Sequence, residues 1–590
     1  MPGTAHKLLT YAVALFFASS VLHAGEPLSP DRTVPWDATY EPTGLPEQAT
    51  PPWHASLGAN TDASLTEGAL RVVDRGTQDR ELRFYSWPWQ ASPREGAVAE
   101  VCLKVVSCSG PAGVLLLVAD GRRELGLTFY PDRVEAHNVP EIAYRMDTSD
   151  DFHVYRVWLC RDDLKLWVDG KLAVEGAGKL TWEAHRGRNL VGFGSCSSAA
   201  TGEAVWKQVR YHAYKPEVHL VPDAKQVIVY KQPEVYACFP SFAKAEDGAL
   251  YSGFGTRTRR SHIDPTGGSA RMKSTDAGLT WSETKESPAN PIPQRKDGGT
   301  ASAAAYGWRE VAADQATGLE EKGYVVRPVR EGVVAYLSGA YAVKQLPGGE
   351  KQKWEVACPP HASLMGYNQS SVLKTENGIR LTAIYGRETR DEPSTSWVLR
   401  SDDDGDSWQL LPIARPVAVD KLQPLQPEAE AEALGDVWLP EDGPLGFSET
   451  AIAEAGDGSI VAMLRPDPDR HGYLYQCRSK DGGKTWDTPK RTPMWGYPAN
   501  LLLLRDGSLL CTYGYRRAPM GIRACVSRDN GRTWDSAHES VLRADGQGNG
   551  GDLGYPLTQQ LADGRLVTVY YFTVGDGVTH IAATHWTVPG

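Results

Sequence analysis

Six side chains in the last two-thirds of this chain stand at the ends of apolar runs or in loops, where chemistry is commonly done. Glu449, in Gly446-Phe447-Ser448-Glu449-Thr450-Ala451, directly precedes an apolar run, and Arg465 closes the next one, Ala462-Met463-Leu464-Arg465, sixteen residues on. Tyr555 follows a glycine in Leu553-Gly554-Tyr555-Pro556, just ahead of an Ala562-Asp563-Gly564 turn. Asp264 lies in the loop sequence Ser261-His262-Ile263-Asp264-Pro265. Arg257 opens a basic run, Arg257-Thr258-Arg259-Arg260, and Arg523 sits in Gly521-Ile522-Arg523-Ala524, with Arg517 as its alternative. Carboxylates and a phenol can move protons and attack carbon. Arginine forks match a carboxylate with two parallel hydrogen bonds. Each residue also has a plainer reading: a solvated strand-edge carboxylate for Glu449, a surface ion pair for Arg465, core or rim packing for Tyr555, a turn former for Asp264. The elements that carry them decide.

Those elements repeat. Lys273 to Trp281, Arg400 to Trp408, Arg478 to Trp486 and Val526 to Trp534 all read Ser-x-Asp-x-Gly-x-Thr/Ser-Trp. Recurrence at this level marks a repeat architecture. The Asp (276, 403, 481, 529) can hold backbone N–H groups of a tight turn, and the Gly (278, 405, 483, 531) supplies positive φ without a Cβ penalty. The Trp buries a large ring between neighbouring units. Upstream of these turns are Asp-Gly or Asn-Gly hairpin signals at 247–248, 377–378, 457–458, 506–507 and 563–564. Two hairpins make a four-stranded antiparallel blade, and radial repetition of blades makes a propeller. Units near 235–290, 367–415, 447–492, 497–545 and 555–589 are visible. The stretch 291–366 has room for one more while lacking both turn signatures, and Gln226 to Tyr230 is placed to complete the last blade. The expectation is all-β: a six-bladed β-propeller over 216–590, preceded by a β-sandwich of jelly-roll type over 61–215. The turns themselves read as folding devices, not as substrate contacts.

The front of the chain carries other signals. Lys7 and the apolar run Leu8 to Ala18 predict a secretory signal over 1–24, cleaved near Ala24, with an extended, Pro-rich leader over 25–60. The run is short for a membrane span, so the reading is an exported protein with no span after signal removal. Charged residues make up 23% and the formal net charge is −11, which argues against nucleic acid or an anionic membrane as partner. Nine cysteines are too widely spaced for a dense disulfide framework. Cys102 with Cys108, or Cys160 with Cys196, are the pairs left open, and Cys477, Cys511 and Cys525 read as buried thiols. No cluster has zinc-ligand spacing, so no metal or cofactor is expected. Val154 to Cys160 and Leu164 to Val168, joined by a short loop and followed by an Asp169-Gly170-Lys171 turn, resemble a strand pair of the concanavalin/laminin-G sandwich. That resemblance leaves open both a structural and a carbohydrate-binding role.

Four Asp-box turns on a six-bladed propeller resemble the sialidase superfamily over roughly 225–590. The resemblance implies a glycoside hydrolase that removes terminal sialic acid from a glycan with retention, using a tyrosine nucleophile, a glutamate partner, an aspartic acid/base and three arginines on the substrate carboxylate. A neutral tyrosine avoids the repulsion that an anionic nucleophile would meet beside that carboxylate. Mapped residue by residue, it implies Tyr555 as nucleophile, Glu449 as its base, Asp264 as acid/base, and Arg465, Arg523 and Arg257 as substrate contacts. One departure stands out. The family's first arginine, in an Arg-Ile-Pro motif, is matched here by Ala237-Cys238-Phe239-Pro240, so Cys238 takes its place and Arg257 is the candidate replacement. That loss leaves two rival readings: a propeller glycosidase for a different terminal sugar, and a non-catalytic glycan-binding protein.

Overall fold

The computed structural model describes residues 34–589 except 50–51, 79–80, 90, 94, 138, 140, 186–187, 198, 215–217, 259–266, 288–291, 368–371, 427–442, 468–471, 518 and 548–551. The predicted signal segment and Asp264 therefore lie outside the described residues. The chain divides into two compact units, Met1–Lys215 and Pro216–Gly590. No helix among the described residues is long and apolar enough to cross a membrane.

The first unit is a sandwich of two antiparallel sheets. In one, His153–Cys160 lies between Asp163–Val168 and the long strand Ala97–Cys108, which in turn pairs with Gly202–Ala213. In the other, Leu115–Asp120 lies between Glu124–Tyr130 and Asn189–Gly194. Alternate residues of facing strands fill the space between: Val101, Tyr155, Val157 and Trp206 from the first sheet, Leu116, Val118, Phe129 and Phe193 from the second. Phe129 meets Tyr155 at 4.8 Å and Phe193 meets Trp206 at 5.1 Å between ring centroids, the edge and tilted geometries that aromatic quadrupoles favour. All nine cysteines are free thiols. Cys102 and Cys108 share one extended strand, six residues and so roughly 20 Å apart, far beyond disulfide reach. Cys160 packs with Trp158 and Trp167, whereas Cys196 packs beside Phe84 and Leu115.

The second unit is six consecutive antiparallel sheets, the blade pattern of a propeller. Sheets five and six have four strands, sheets one and three have five because their first strand is in two pieces, and sheet four has six, two of them short edge strands of which one pairs in parallel. Sheet six takes its outer strand, Lys225–Tyr230, from the beginning of the unit, paired with Thr579–Trp586. Sheet two has three strands plus an inserted three-stranded sheet of its own. Six tight hairpins open the sheets with the same backbone hydrogen bond, in Ala245–Ala249, Arg295–Gly299, Thr375–Ile379, Ala455–Ser459, Leu504–Ser508 and Leu561–Arg565. The second of these, around Asp297-Gly298, lies in the stretch where the sequence showed no turn signature. It was obscured because the strand after it, Thr300–Ala305, is built of small residues. Those alanines let the strand close against Ile384 and Trp397 of sheet three.

The Asp boxes are the turns between the third and fourth strands of sheets one, three, four and five. Asp481 shows the pattern: Oδ1 accepts the Thr485 N–H at 2.9 Å, Oδ2 accepts the Thr485 hydroxyl at 2.6 Å, and the Ser479 hydroxyl accepts the Gly483 N–H at 2.8 Å. Gly483 has φ of +82°, where L side chains are strained. Arginines latch the boxes of sheets four and five to the preceding sheet: Arg400 of sheet three donates to Gly482 O at 2.8 Å, and Arg478 of sheet four donates to Asn530 O. Because strands alternate in direction, opening hairpins and Asp boxes share one end of the sheets. The turns between second and third strands occupy the other.

Candidate functional site

The other end of the sheets collects the reactive side chains. Glu449 projects from the first strand of sheet four, Pro444–Glu454, where the pairing register slips between Ser448 and Ala451. Tyr555 begins the first strand of sheet six, Gly554–Gln560, and a second register slip falls between Gly554 and Leu557. A bulge inserts extra residues and re-aims a side chain. Both key residues sit on one. Tyr555 adopts φ of +52° and its ring neighbour Phe239 φ of +54°. Non-glycine residues held in this region store strain that surrounding structure must hold, and they gather at functional sites.

The two bulges bring Tyr555 and Glu449 together across 106 residues of sequence: the Tyr555 hydroxyl donates to Glu449 Oε1. Arg465, near the end of the second strand of sheet four, donates from Nη1 to Glu449 Oε2 at 2.5 Å and to the Tyr555 hydroxyl at 3.4 Å. The three groups form one triangle. Burial pushes the Tyr555 phenol well above its ordinary pKa, and the Glu449 charge adds to the shift, while Arg465 and Arg516 oppose it. The Tyr555 phenol is therefore neutral at neutral pH.

A residue the sequence reading passed over completes the cationic side. Arg516, just past the second strand of sheet five, lies with its guanidinium carbon 5.1 Å from the Tyr497 ring centroid and 5.9 Å from that of Tyr555, and its Nε donates to Leu553 O at 3.0 Å. Arg465 stands 4.6 Å from the same Tyr497 ring. Two guanidinium groups against one aromatic ring make a place for an anion. A signal for Arg516 was present in the spacing. Arg257, Arg387 and Arg516 each stand ten residues past the Asp or Asn of their sheet's opening hairpin, while Tyr385, Arg465 and Tyr571 stand eight past theirs. Positions two apart on a strand share a face, so these positions mark the side chains that the second strands carry toward this end. Gly514 and Gly554 permit the approach of sheets five and six: a Cβ on Gly514 would lie 3.0 Å from the Gly554 Cα.

The wall of the site is aromatic. The rings of Phe239, Tyr571 and Tyr367 lie 4.8, 5.7 and 6.1 Å from that of Tyr555. Asp552, three residues before Tyr555, accepts the hydroxyls of Tyr236 and Tyr571, each at 2.5 Å.

The remaining predicted residues fall in different surroundings. Arg523 ion-pairs with Glu539, which also accepts the Tyr513 hydroxyl, and stacks 3.4 Å above the Tyr515 ring. Arg517 stacks on Trp495 at 4.3 Å. Arg257 lies 5.9 Å from the Phe239 ring centroid and interacts with Cys238, placing its charge beside the cysteine that stands where an arginine was expected. Cys238 itself is fully buried, and burial pushes its thiol up to about 12, with Arg257 opposing. Asp264 and His262 lie outside the described residues. Among the described residues no group of three or more His, Cys, Asp or Glu is placed to hold a metal ion.

Comparison with known proteins adds a match to part of the second unit. Residues 445–568 match the BNR repeat-like domain, a span that holds Glu449, Arg465, Arg516, Arg523 and Tyr555. No curated protein matches the sequence. Among solved structures, a protein of unknown function from Dyadobacter fermentans is 27% identical, matched over 62% of this chain and 100% of its own, with a TM-score of 0.47. The NanB sialidase of Streptococcus pneumoniae is 11% identical over 85% of this chain and 99% of its own, at a TM-score of 0.38. The alpha-L-arabinanase of Penicillium chrysogenum is 12% identical over 63% and 99%, at 0.36. Likeness at these levels says nothing of what this chain acts on. Residues 445–568, which include two of the four Asp-box turns, are thus similar to a BNR repeat-like domain.

Proposed function

We propose that this protein is an exported glycoside hydrolase of sialidase type that removes a terminal acidic sugar from glycans with retention. The observation that carries the reading is the Tyr555–Glu449–Arg465 triangle. In the first step the Tyr555 oxygen attacks the anomeric carbon as its proton passes to Glu449. The bond to the leaving oxygen breaks, and Asp264 protonates that oxygen. In the second step Asp264 takes a proton from water, the water oxygen displaces the tyrosine, and Glu449 returns the proton to the phenol. Two displacements restore the original anomeric configuration. Arg465 and Arg516 supply the cationic face for the sugar's acidic group. The apolar run near the N-terminus supports export.

The buried Cys238 favours a second reading, in which the same machinery acts on a different terminal sugar. An arginine fork on a carboxylate contributes about 1.5–3 kcal/mol, so losing one weakens sialic acid binding by an order of magnitude or more. Turnover of a panel of fluorogenic aryl glycosides separates the cases, with Tyr555→Phe and Glu449→Gln as controls. Activity on the sialoside, abolished in both variants, supports the first reading, and activity on another sugar alone supports the second. Glycan binding without turnover of any member, unchanged by Glu449→Gln, sinks both and leaves a glycan-binding propeller. Full activity in Tyr555→Phe removes tyrosine as the nucleophile.

A further inference from the structure

Sheet two carries an insertion that the reaction above does not use. It runs between the strands Thr300–Ala305 and Ala340–Gln345, which match the second and third strands of the four-stranded sheets, and holds the strands Trp308–Ala312, Val326–Arg330 and Val333–Leu337 with the short helix Ala316–Glu321. In sheet five the same connection covers only the gap from Tyr515 to Met520. Connections of this kind leave the sheets at the end where Arg465, Arg516 and Tyr571 are found. The insertion also leans on the start of sheet three: Val325 N donates to Ala362 O at 3.0 Å, and Gly339 N donates to His361 Nε2 at 3.2 Å.

One face of the insertion, continued onto sheet two, is a ladder of tyrosines and cations. The Lys353 ammonium lies 4.0 Å from the Tyr341 ring centroid and 5.0 Å from that of Tyr306, and the two rings are 4.8 Å apart. Arg309 follows, 4.9 Å from Tyr306 and 5.6 Å from Tyr336. Tyr324 then lies 5.6 Å from Tyr336 and 5.9 Å from His361. The four tyrosines are half-buried, whereas Arg309 and Lys353 are exposed. Neither cation is ion-paired among the described residues. Arg330, in the same insertion, is paired with Glu310 at 2.7 Å. A carboxylate borders the ladder: Glu355 accepts the Tyr306 hydroxyl at 3.5 Å.

Resting on the reading that the Tyr555 site takes an acidic sugar, we propose that this ladder docks a further stretch of the same anionic glycan. Half-exposed tyrosine rings offer apolar faces with polar tips, suited to the mixed surface of a sugar ring. Cations held over aromatic rings, without a carboxylate of their own, are left to pair with a ligand's carboxylates or sulfates. The ladder ends at His361. Six residues on is Tyr367, whose ring is 6.1 Å from that of Tyr555. Extended chain covers roughly 20 Å over that interval, so the ligand that reaches both places is an oligosaccharide or polymer, not a single sugar.

Affinity electrophoresis of the full-length Glu449→Gln variant, which binds without turnover, tests this in gels cast with polysialic acid, hyaluronan, chondroitin sulfate or neutral dextran. The dock predicts retardation by at least one anionic polymer and not by dextran, weakening as salt is raised. Added to that background, Arg309→Ala with Lys353→Ala, and separately Tyr306→Ala with Tyr341→Ala, should raise the dissociation constant tenfold or more. Tyr306→Phe with Tyr341→Phe keeps the rings and should stay within threefold; near-ultraviolet circular dichroism checks that each variant is folded. No retardation by any anionic polymer, equal retardation by dextran, or retardation unchanged in both alanine pairs overturns the proposal. None of these results depends on turnover, so failure of the dock and failure of the Tyr555 reaction are read separately.

Discussion

Asp552 makes the most exacting prediction. Its carboxylate accepts two tyrosine hydroxyls at 2.5 Å, from Tyr571 in the same sheet and Tyr236 in sheet one. It thereby pins the backbone three residues ahead of Tyr555. Hydrogen bonds to a charged group contribute about 1.5–3 kcal/mol each. Asp552 is half-buried, so the lower end applies and the pair is worth about 3 kcal/mol. Holding Tyr555 at φ of +52° costs about 1–3 kcal/mol. The two quantities are comparable, which means the staple is about what the strained backbone needs. Asp552→Ala should let Tyr555 relax toward negative φ and carry its hydroxyl away from Glu449. A misplacement of about 1 Å costs on the order of 100-fold in rate. Steady-state kinetics on whichever aryl glycoside the wild type turns over should show kcat down by about that factor, with KM within about threefold, and the melting temperature down by several degrees. Asp552→Asn keeps one acceptor and should fall between. A lowered melting temperature with kcat unchanged would refute the positioning argument, and no change in either would refute the hydrogen-bond accounting as well.

Three further outcomes follow from the same structure. Arg380 is fully buried and spans Asp404 at 2.8 Å and the carbonyls of Pro293 and Gln294 at 2.7 and 2.8 Å; Arg380→Met strands these partners and should cost about 3–5 kcal/mol, read from the urea midpoint of the second unit. Asp276 and Asp481 are held down at about 2, chiefly by the Thr280 hydroxyl for Asp276 and, against a burial effect that works the other way, by the Thr485 hydroxyl for Asp481. Their folded pKa values are depressed, so their contribution is present above about pH 4 and lost as the pH falls toward 2; Asp481→Asn should be less stable at neutral pH and show a shallower loss across that window in thermal melts. Cys238, raised to about 12, stays protonated at pH 8; peptide mapping should find it alkylated by iodoacetamide only after denaturation, and ready labelling of the native protein would contradict its burial.

Local chemistry was legible in the sequence and non-local assembly was not. Asp481, Gly483 and Trp486 make their turn within a few residues, so their pattern survives in one dimension. Asp297-Gly298 is the same kind of turn as Asp457-Gly458, yet the alanines of Thr300–Ala305 after it give no apolar alternation to mark a strand. They are small because sheet three packs close against them, a fact of tertiary structure. Glu449 and Tyr555 could be singled out by position, but nothing in the string of residues announces that two bulges aim them at each other. Arg516 depends on three sheets at once: it is carried by sheet five, hydrogen-bonded to Leu553 ahead of sheet six, and shares the Tyr497 ring with Arg465 of sheet four.

The strand Lys225–Tyr230, which finishes sheet six against Thr579–Trp586, also sets the order in which this protein can be made. It leaves the ribosome near the start of the second unit, but its partner strand, Thr579–Trp586, follows only after the strands of the other sheets. Val227 must wait for Ala583. Joining ends that far apart costs about 5 kcal/mol in loop-closure entropy, and until then both edges are unpaired and open to aggregation. A chain stalled or clipped before Thr579 keeps all four Asp boxes, Glu449 and Tyr555, and still lacks the clasp. Pairing of Lys225–Tyr230 with Thr579–Trp586 is therefore a late step in completing sheet six.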